Sequence, residues 1–116
     1  MITTEADLTI QACIEACLDC MRRCETFSSA YEGVEGMERC VQASRDCADV
    51  CALAARFMMR GSRLQSEICI ACAAACTECA QTCGSREEMD CRMLGETCTH
   101  CRDLCRLMGA MNWPWN

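Results

Sequence analysis

Residues 69–83 read CIACAAACTECAQTC, in which Cys69, Cys72, Cys76, Cys79 and Cys83 recur at steps of three, four, three and four. At about 100° per residue these five side chains share one stripe, within an ~80° sector of a helix. At ~1.5 Å per residue the stripe climbs about 21 Å, so the thiols form a column along the helix instead of a local knot. One thiol-lined wall needs partners.

The rest of the chain supplies three more. A first helix is expected over about residues 4–31, starting after Thr3 or Thr4, whose hydroxyl can accept a first-turn amide, with Glu5 and Asp7 suited to the positive end of the helix dipole. It carries Cys13, Cys17, Cys20 and Cys24 on one face. Gly33 and Gly36 mark a turn, and a second helix over about 35–60 carries Cys40, Cys47 and Cys51, with Ser44 in the missing place of that column. Ser62 with Gln65 and Ser85 with Glu88 both fit the capping box S-x-x-[EQ], each just after a glycine suited to a left-handed C′ position. These signals predict helices over about 62–83 and 86–111. The last carries Cys91, Cys98, Cys101 and Cys105, with Leu94 in the gap. Four helices with short connections imply an all-α, antiparallel up-down-up-down bundle with a cysteine-lined core, formed by residues 1–116 as one domain.

Composition limits the chemistry. Cysteine makes up 16 of 116 residues, beyond the level that flags a disulfide scaffold. Such scaffolds are loop-rich, whereas this chain has six glycines, one proline and long helical patterns. The amino terminus MITTEADLTIQ has neither the basic nor the apolar part of an export signal, so a reducing cytoplasm is expected. A net charge of −6 with few aromatic residues argues against a nucleic-acid surface. No apolar run reaches membrane-spanning length.

Three readings of the thiol axis compete. Cysteine can be a small buried hydrophobe. A thiol core poor in leucine, however, buries little apolar area, and packing gives no reason to exclude leucine. Disulfides across helices are geometrically possible, but i, i+4 pairs on one face are awkward to bridge. Ligation of a soft metal explains the six C-x-x-x-C pairs, Cys13/Cys17, Cys20/Cys24, Cys47/Cys51, Cys72/Cys76, Cys79/Cys83 and Cys101/Cys105. Residues four apart stack about 6 Å apart, close enough for two thiolates to converge on one ion. Zinc requires four ligands in a tetrahedron, whereas two or three sulfurs satisfy Cu(I), so rigid helices can hold many Cu(I) ions in series. The reading is therefore storage of multiple Cu(I) ions without catalysis; the alternative is a carrier or enzyme holding an iron–sulfur or zinc thiolate cluster. The three-cysteine spacing of radical S-adenosylmethionine enzymes, matched by Cys13, Cys17 and Cys20 and by Cys72, Cys76 and Cys79, follows from the helical stripe itself.

With DCMRRC on the first helix, CIACAAACTEC on the third and CTHCRDLC on the fourth, residues 8 to 108 resemble the cysteine-rich copper storage proteins. The resemblance implies a four-helix bundle filled with Cu(I) on core cysteines, assembled as a homo-oligomer, often a tetramer, with exported and cytosolic members. The chain departs from a full ladder at Ser44.

The two ends of the bundle differ. Phe27, Met37 and Met89 are expected at the end formed by the first and third turns, where the resemblance implies a copper entrance with Met37 and Met89 as weak first-contact ligands. Leu8, Met58, Met59, Leu64 and Met108 are expected to plug the other end, near the tail tryptophans of Asn112-Trp-Pro-Trp-Asn116. His100, ~200° from Cys98, is expected to face outward. The third helix has little polar surface outside its stripe, with Ile68, Ile70, Ala71, Ala73, Ala74 and Ala75, which predicts burial against another subunit.

Overall fold

The computed structural model describes residues 4–111. Within them the chain forms α1 (Glu5–Tyr31), α2 (Glu38–Met59), α3 (Gln65–Gly84) and α4 (Met89–Ala110), with no strand. Each helix packs on its neighbours in sequence, and α1 closes the ring on α4. The bundle measures 50 × 21 × 19 Å. Across the core Cys13 and Cys20 face Cys105 and Cys98, while Cys47 and Cys51 face Cys76 and Cys72. Rising numbers on one helix meet falling numbers on the other, so these pairs run antiparallel. No helix among the described residues is long and apolar enough to cross a membrane.

Local chemistry explains the first helix start and the second stop. Thr4 Oγ1 accepts from the Asp7 amide at 3.0 Å while Asp7 Oδ2 accepts from the Thr4 amide at 3.2 Å, a complete capping box. At the end of α2, Gly61 takes φ +65°, and the amides of Gly61 and Ser62 bond back to the carbonyls of Met58 and Phe57. That is the Schellman closure, which needs a residue tolerant of positive φ. Gly33 and Gly36 also lie at positive φ in the first turn, and α2 begins at Glu38, three residues later than expected.

The two serine capping boxes do not form. The Ser62 hydroxyl accepts from the Leu64 amide at 3.1 Å, residues 62–64 make a turn, and α3 starts only at Gln65, whose side chain enters the core instead of reaching back. Ser85 Oγ donates to the Gln81 carbonyl at 3.2 Å, so it closes α3, and α4 begins at Met89. Nor is Gly84 left-handed. It ends α3 facing Gly95 of α4, where a Cβ on Gly95 would meet the Gly84 Cα at 2.8 Å. Backbone meets backbone there, which holds α3 and α4 close together.

The core is built from small side chains. All 16 cysteines are buried, with Ala16, Ala43, Ala48, Ala54, Ala55 and Ala73 between them, and Leu94 is the one buried leucine among the described residues. Larger groups sit at the ends: Phe27 and Met37 at one, Met58 and Met108 at the other. Of the five residues expected in the plug, two, Met58 and Met108, are buried. Leu8, Met59 and Leu64 are exposed, because Met59 is turned ~100° from Met58, Leu8 lies ~140° from Cys13, and Leu64 precedes α3. Trp113 and Trp115, expected beside that end, lie outside the described residues. His100 faces solvent, as its phase predicts.

Candidate metal centre

Twelve of the sixteen thiols gather into overlapping groups whose sulfurs lie within 4.8 Å of one another: Cys17, Cys72, Cys101 and Cys105; Cys20, Cys24, Cys47 and Cys98; Cys20, Cys51, Cys76 and Cys101; and Cys13, Cys69 and Cys105. Cys20, Cys101 and Cys105 each belong to two groups. The sulfurs also form an unbroken path, Cys24 to Cys20, Cys47, Cys51, Cys101, Cys17, Cys105 and Cys13, with no step longer than 4.0 Å. None is bridged as a disulfide.

The closest pairs run mostly between helices. Within the six C-x-x-x-C pairs, only Cys20 with Cys24 (4.0 Å) and Cys47 with Cys51 (3.9 Å) approach as closely as the cross-helix contacts, of which Cys51 with Cys72, at 3.5 Å, is the shortest. Side chains one turn apart climb about 6 Å along the axis, whereas facing stripes interdigitate. A metal–sulfur bond of about 2.3 Å puts sulfurs ~4.0 Å apart around a three-coordinate ion and ~4.6 Å apart across a two-coordinate one. The groups accept either with sub-ångström movement. Because the groups share members, separate closed tetrahedra of the zinc type do not fit on all of them, whereas bridging thiolates for Cu(I) do.

Protons are divided unevenly along the column. Hydrogen bonding from Cys101, above all, holds Cys17, Cys20, Cys76 and Cys105 below the ordinary thiol range. The donors move the other way: Cys101 is pushed up chiefly by its bond to Cys105, Cys51 by Cys101 and Cys47 by Cys20. Thiolate character is therefore concentrated on Cys17, Cys20, Cys76 and Cys105, while Cys101, which two groups share, keeps its proton.

Cys40, Cys79, Cys83 and Cys91 belong to no compact group. They lie toward the end formed by the α1–α2 and α3–α4 turns, where three other residues interrupt the thiols. The α2–α3 register that sets Cys47 on Cys76 places Ser44 opposite Cys79, and the α1–α4 register places Cys24 opposite Leu94 and Phe27 opposite Cys91. Cys40 Sγ instead donates to the Thr82 carbonyl (3.7 Å), Cys83 to the Cys40 carbonyl (3.9 Å) and Cys91 to Glu88 Oε2 (3.9 Å). Burial, with help from Cys40 and Glu88, pushes the Cys91 thiol up to about 11. Above it Arg86 donates to Glu88 Oε2 at 2.7 Å and to the Gly36 carbonyl at 3.4 Å, tying the two turns together. Of the two methionines expected here, Met89 is 67% exposed and Met37 3%, so they occupy successive depths and not a common rim.

At the opposite end sequence reasoning placed Met58 only as a plug and did not place Gln65 in the core. Met58 brings its thioether sulfur to 3.7 Å from Cys69 Sγ, and Gln65 is buried one turn before Cys69. The stripe itself carried the signal for Gln65, since it continues the column at i−4.

The sequence profile described as Csp, copper storage protein, matches residues 6–110. The "Uncharacterized cysteine-rich protein YhjQ" of Bacillus subtilis (strain 168) is 38% identical over 103 residues, covering 86% of this chain and 95% of that protein. Among solved structures, Cu(I)-bound copper storage protein BsCsp3 aligns with a TM-score of 0.81 at 35% identity, covering 88% of this chain and 99% of that one. The cytosolic copper storage protein of Streptomyces lividans, with five coppers, aligns at 0.82 and 27% identity, covering 90% and 95%. The profile spans nearly the whole described bundle and the Bacillus relative matches over most of its length, so the chain belongs to the copper storage protein family.

Proposed function

We propose that the protein stores and buffers Cu(I) in the cytosol, binding many ions per chain through its 16 core cysteines, and catalyses no reaction. The observation that carries this reading is the sharing of thiols between groups along one continuous sulfur path. Each Cu(I) taken up between two thiols displaces their protons to solvent and leaves two S–Cu bonds, so affinity rises with pH. The four-helix bundle is the single domain that holds these thiols. The Streptomyces relative, named as cytosolic, supports the compartment.

Loading proceeds from the turn end, through exposed Met89 and then buried Met37 to Cys40, Cys83 and Cys91. Thioethers ligate Cu(I) at any protonation state of the thiols and hold it more weakly than thiolates, so they pass it inward. Assembly as a homotetramer fits the outer face of α3, where Ile70, Ala71 and Ala74 are exposed. Sedimentation of the reduced protein at several concentrations tests this, and a monomer throughout would remove it.

Stoichiometry tests the central claim. Sixteen inward thiols sharing ligands should take on the order of ten or more Cu(I) per chain, read by titrating reduced apoprotein against a competing chelator. Saturation near four would sink the storage reading, and a brown protein as purified would point to an iron–sulfur cluster.

A further inference from the structure

The end of the bundle away from the α1–α2 and α3–α4 turns holds groups that the thiolate core does not use. Met58 is 3% exposed, and its Sδ accepts from Cys69 Sγ at 3.7 Å. Cys69 itself belongs to the group with Cys13 and Cys105, so Met58 extends the sulfur network one ligand beyond the last thiol. A second observation points the same way. Gln65, 1% exposed, lies one turn before Cys69 on the same face, and the α2–α3 register sets it opposite Met58. Neither its amide nitrogen nor its amide oxygen has a partner, although buried amides are nearly always satisfied. An unpartnered dipole beside a thiol and a thioether is the environment in which a small soft cation gains most, because the dipole is already desolvated.

We propose that Met58 and Cys69 form a mixed thioether–thiolate Cu(I) site at this end, with Gln65 as a positioning residue. The proposal rests on the Cu(I) storage reading and adds a ligand class to it. When Cu(I) binds, the Cys69 S–H bond breaks, its proton leaves to solvent, an S–Cu bond forms, and a Met58 sulfur lone pair completes a two-coordinate ion. No electron is transferred. A pair of thiolates around Cu(I) carries a net charge of −1, whereas thiolate plus thioether is neutral. A neutral site is the one that a closed apolar end can bury without a counter-ion. Gln65 then directs its amide oxygen at the ion or its N–H at the Cys69 thiolate.

The test uses selenium as a label. Full-length protein in which Met37, Met89 and Met93 are replaced by leucine, so that the turn end contributes no selenium, is made with selenomethionine, loaded with Cu(I) to saturation and measured at the selenium absorption edge. The expected result is copper at bonding distance from selenium, lost in Met58→Leu and in Cys69→Ser, with capacity reduced by about one ion in each. Gln65→Leu should keep the copper shell but make it more disordered, a readout that a purely packing role would not move. A parent spectrum with no copper neighbour, or one whose copper neighbour survives Met58→Leu, overturns the proposal. If Met58→Leu does not fold by circular dichroism, Cys69→Ser decides. Failure of the storage reading is distinguishable, because it shows as saturation near four ions whatever the selenium spectrum reports.

Discussion

Ser44→Cys should raise the copper capacity of the protein. Ser44 is fully buried in the α2 column between Cys40 and Cys47, and the helix register sets it opposite Cys79. Its hydroxyl donates to the Val41 carbonyl at 2.9 Å, a bond within its own helix turn that satisfies it without help from the core. A thiol keeps only a weak version of that bond, so the apo form should lose about 1 kcal/mol, which lowers its Tm by about 4 °C. In exchange a seventeenth sulfur enters the stretch where Cys40, Cys79 and Cys83 stand outside the compact groups. If roughly ten or more ions share 16 thiols, each thiol supports most of an ion, and one more should add about one. The assay is a Cu(I) titration of reduced apoprotein against a chromophoric chelator, run beside Ser44→Ala, which loses the same hydrogen bond and gains no sulfur. A folded Ser44→Cys protein that saturates with the parent would refute the column geometry on α2.

Gly95→Ala should destabilise the apo bundle by about 1–3 kcal/mol, because its Cβ would meet backbone atoms of Gly84 at 2.8 and 3.3 Å, more than offsetting a helix-propensity gain of ~1 kcal/mol. Gly84→Ala, whose Cβ meets Gly95 Cα at an ordinary 3.7 Å, should be tolerated; equal melting shifts would remove the argument. The Cys91 thiol, raised from 9.0 to about 11, stabilises the folded apo form below pH 9, and that contribution is lost as pH rises through 11. Denaturant melts should therefore show the parent's advantage over Cys91→Ser shrinking between pH 8 and pH 11, and an advantage that grows would be the wrong sign. Replacing Met37 and Met89 with leucine should slow uptake from a chelator and leave capacity unchanged; parental loading rates would make those methionines packing alone.

The phase of the cysteines was the legible part of this chain. Five residues in α3 and their counterparts elsewhere put all 16 thiols inside, because a buried stripe is a property of helical period that survives errors in helix ends. The ends were less legible. Ser62 and Ser85 each satisfy a capping pattern, but each also sits beside the C-terminus of a preceding helix, and the competing local bonds to Leu64 and Gln81 formed instead. Contact between helices was not legible at all. The C-x-x-x-C spacing suggested chelation within one helix, while the short distances lie between Cys51 and Cys72 or Cys13 and Cys105, which depend on a register that no single segment encodes. The burial of Gln65 was legible in the α3 stripe and the place of Met58 in the plug, but their facing each other across α2 and α3 was hidden for the same reason.

The unbroken sulfur path from Cys24 to Cys13, with every step at or under 4.0 Å, also gives the store a memory. An ion can step along it by exchanging one sulfur for the next, and an ion ahead that occupies the shared thiols blocks the one behind. Copper that follows the proposed route from the turns is then queued in order of arrival, and the earliest ions lie deepest. Filled first with one copper isotope and then with another, the protein should surrender the second to a chelator before the first, whereas release of a uniform mixture would mean that ions scramble between sites or leave through the walls.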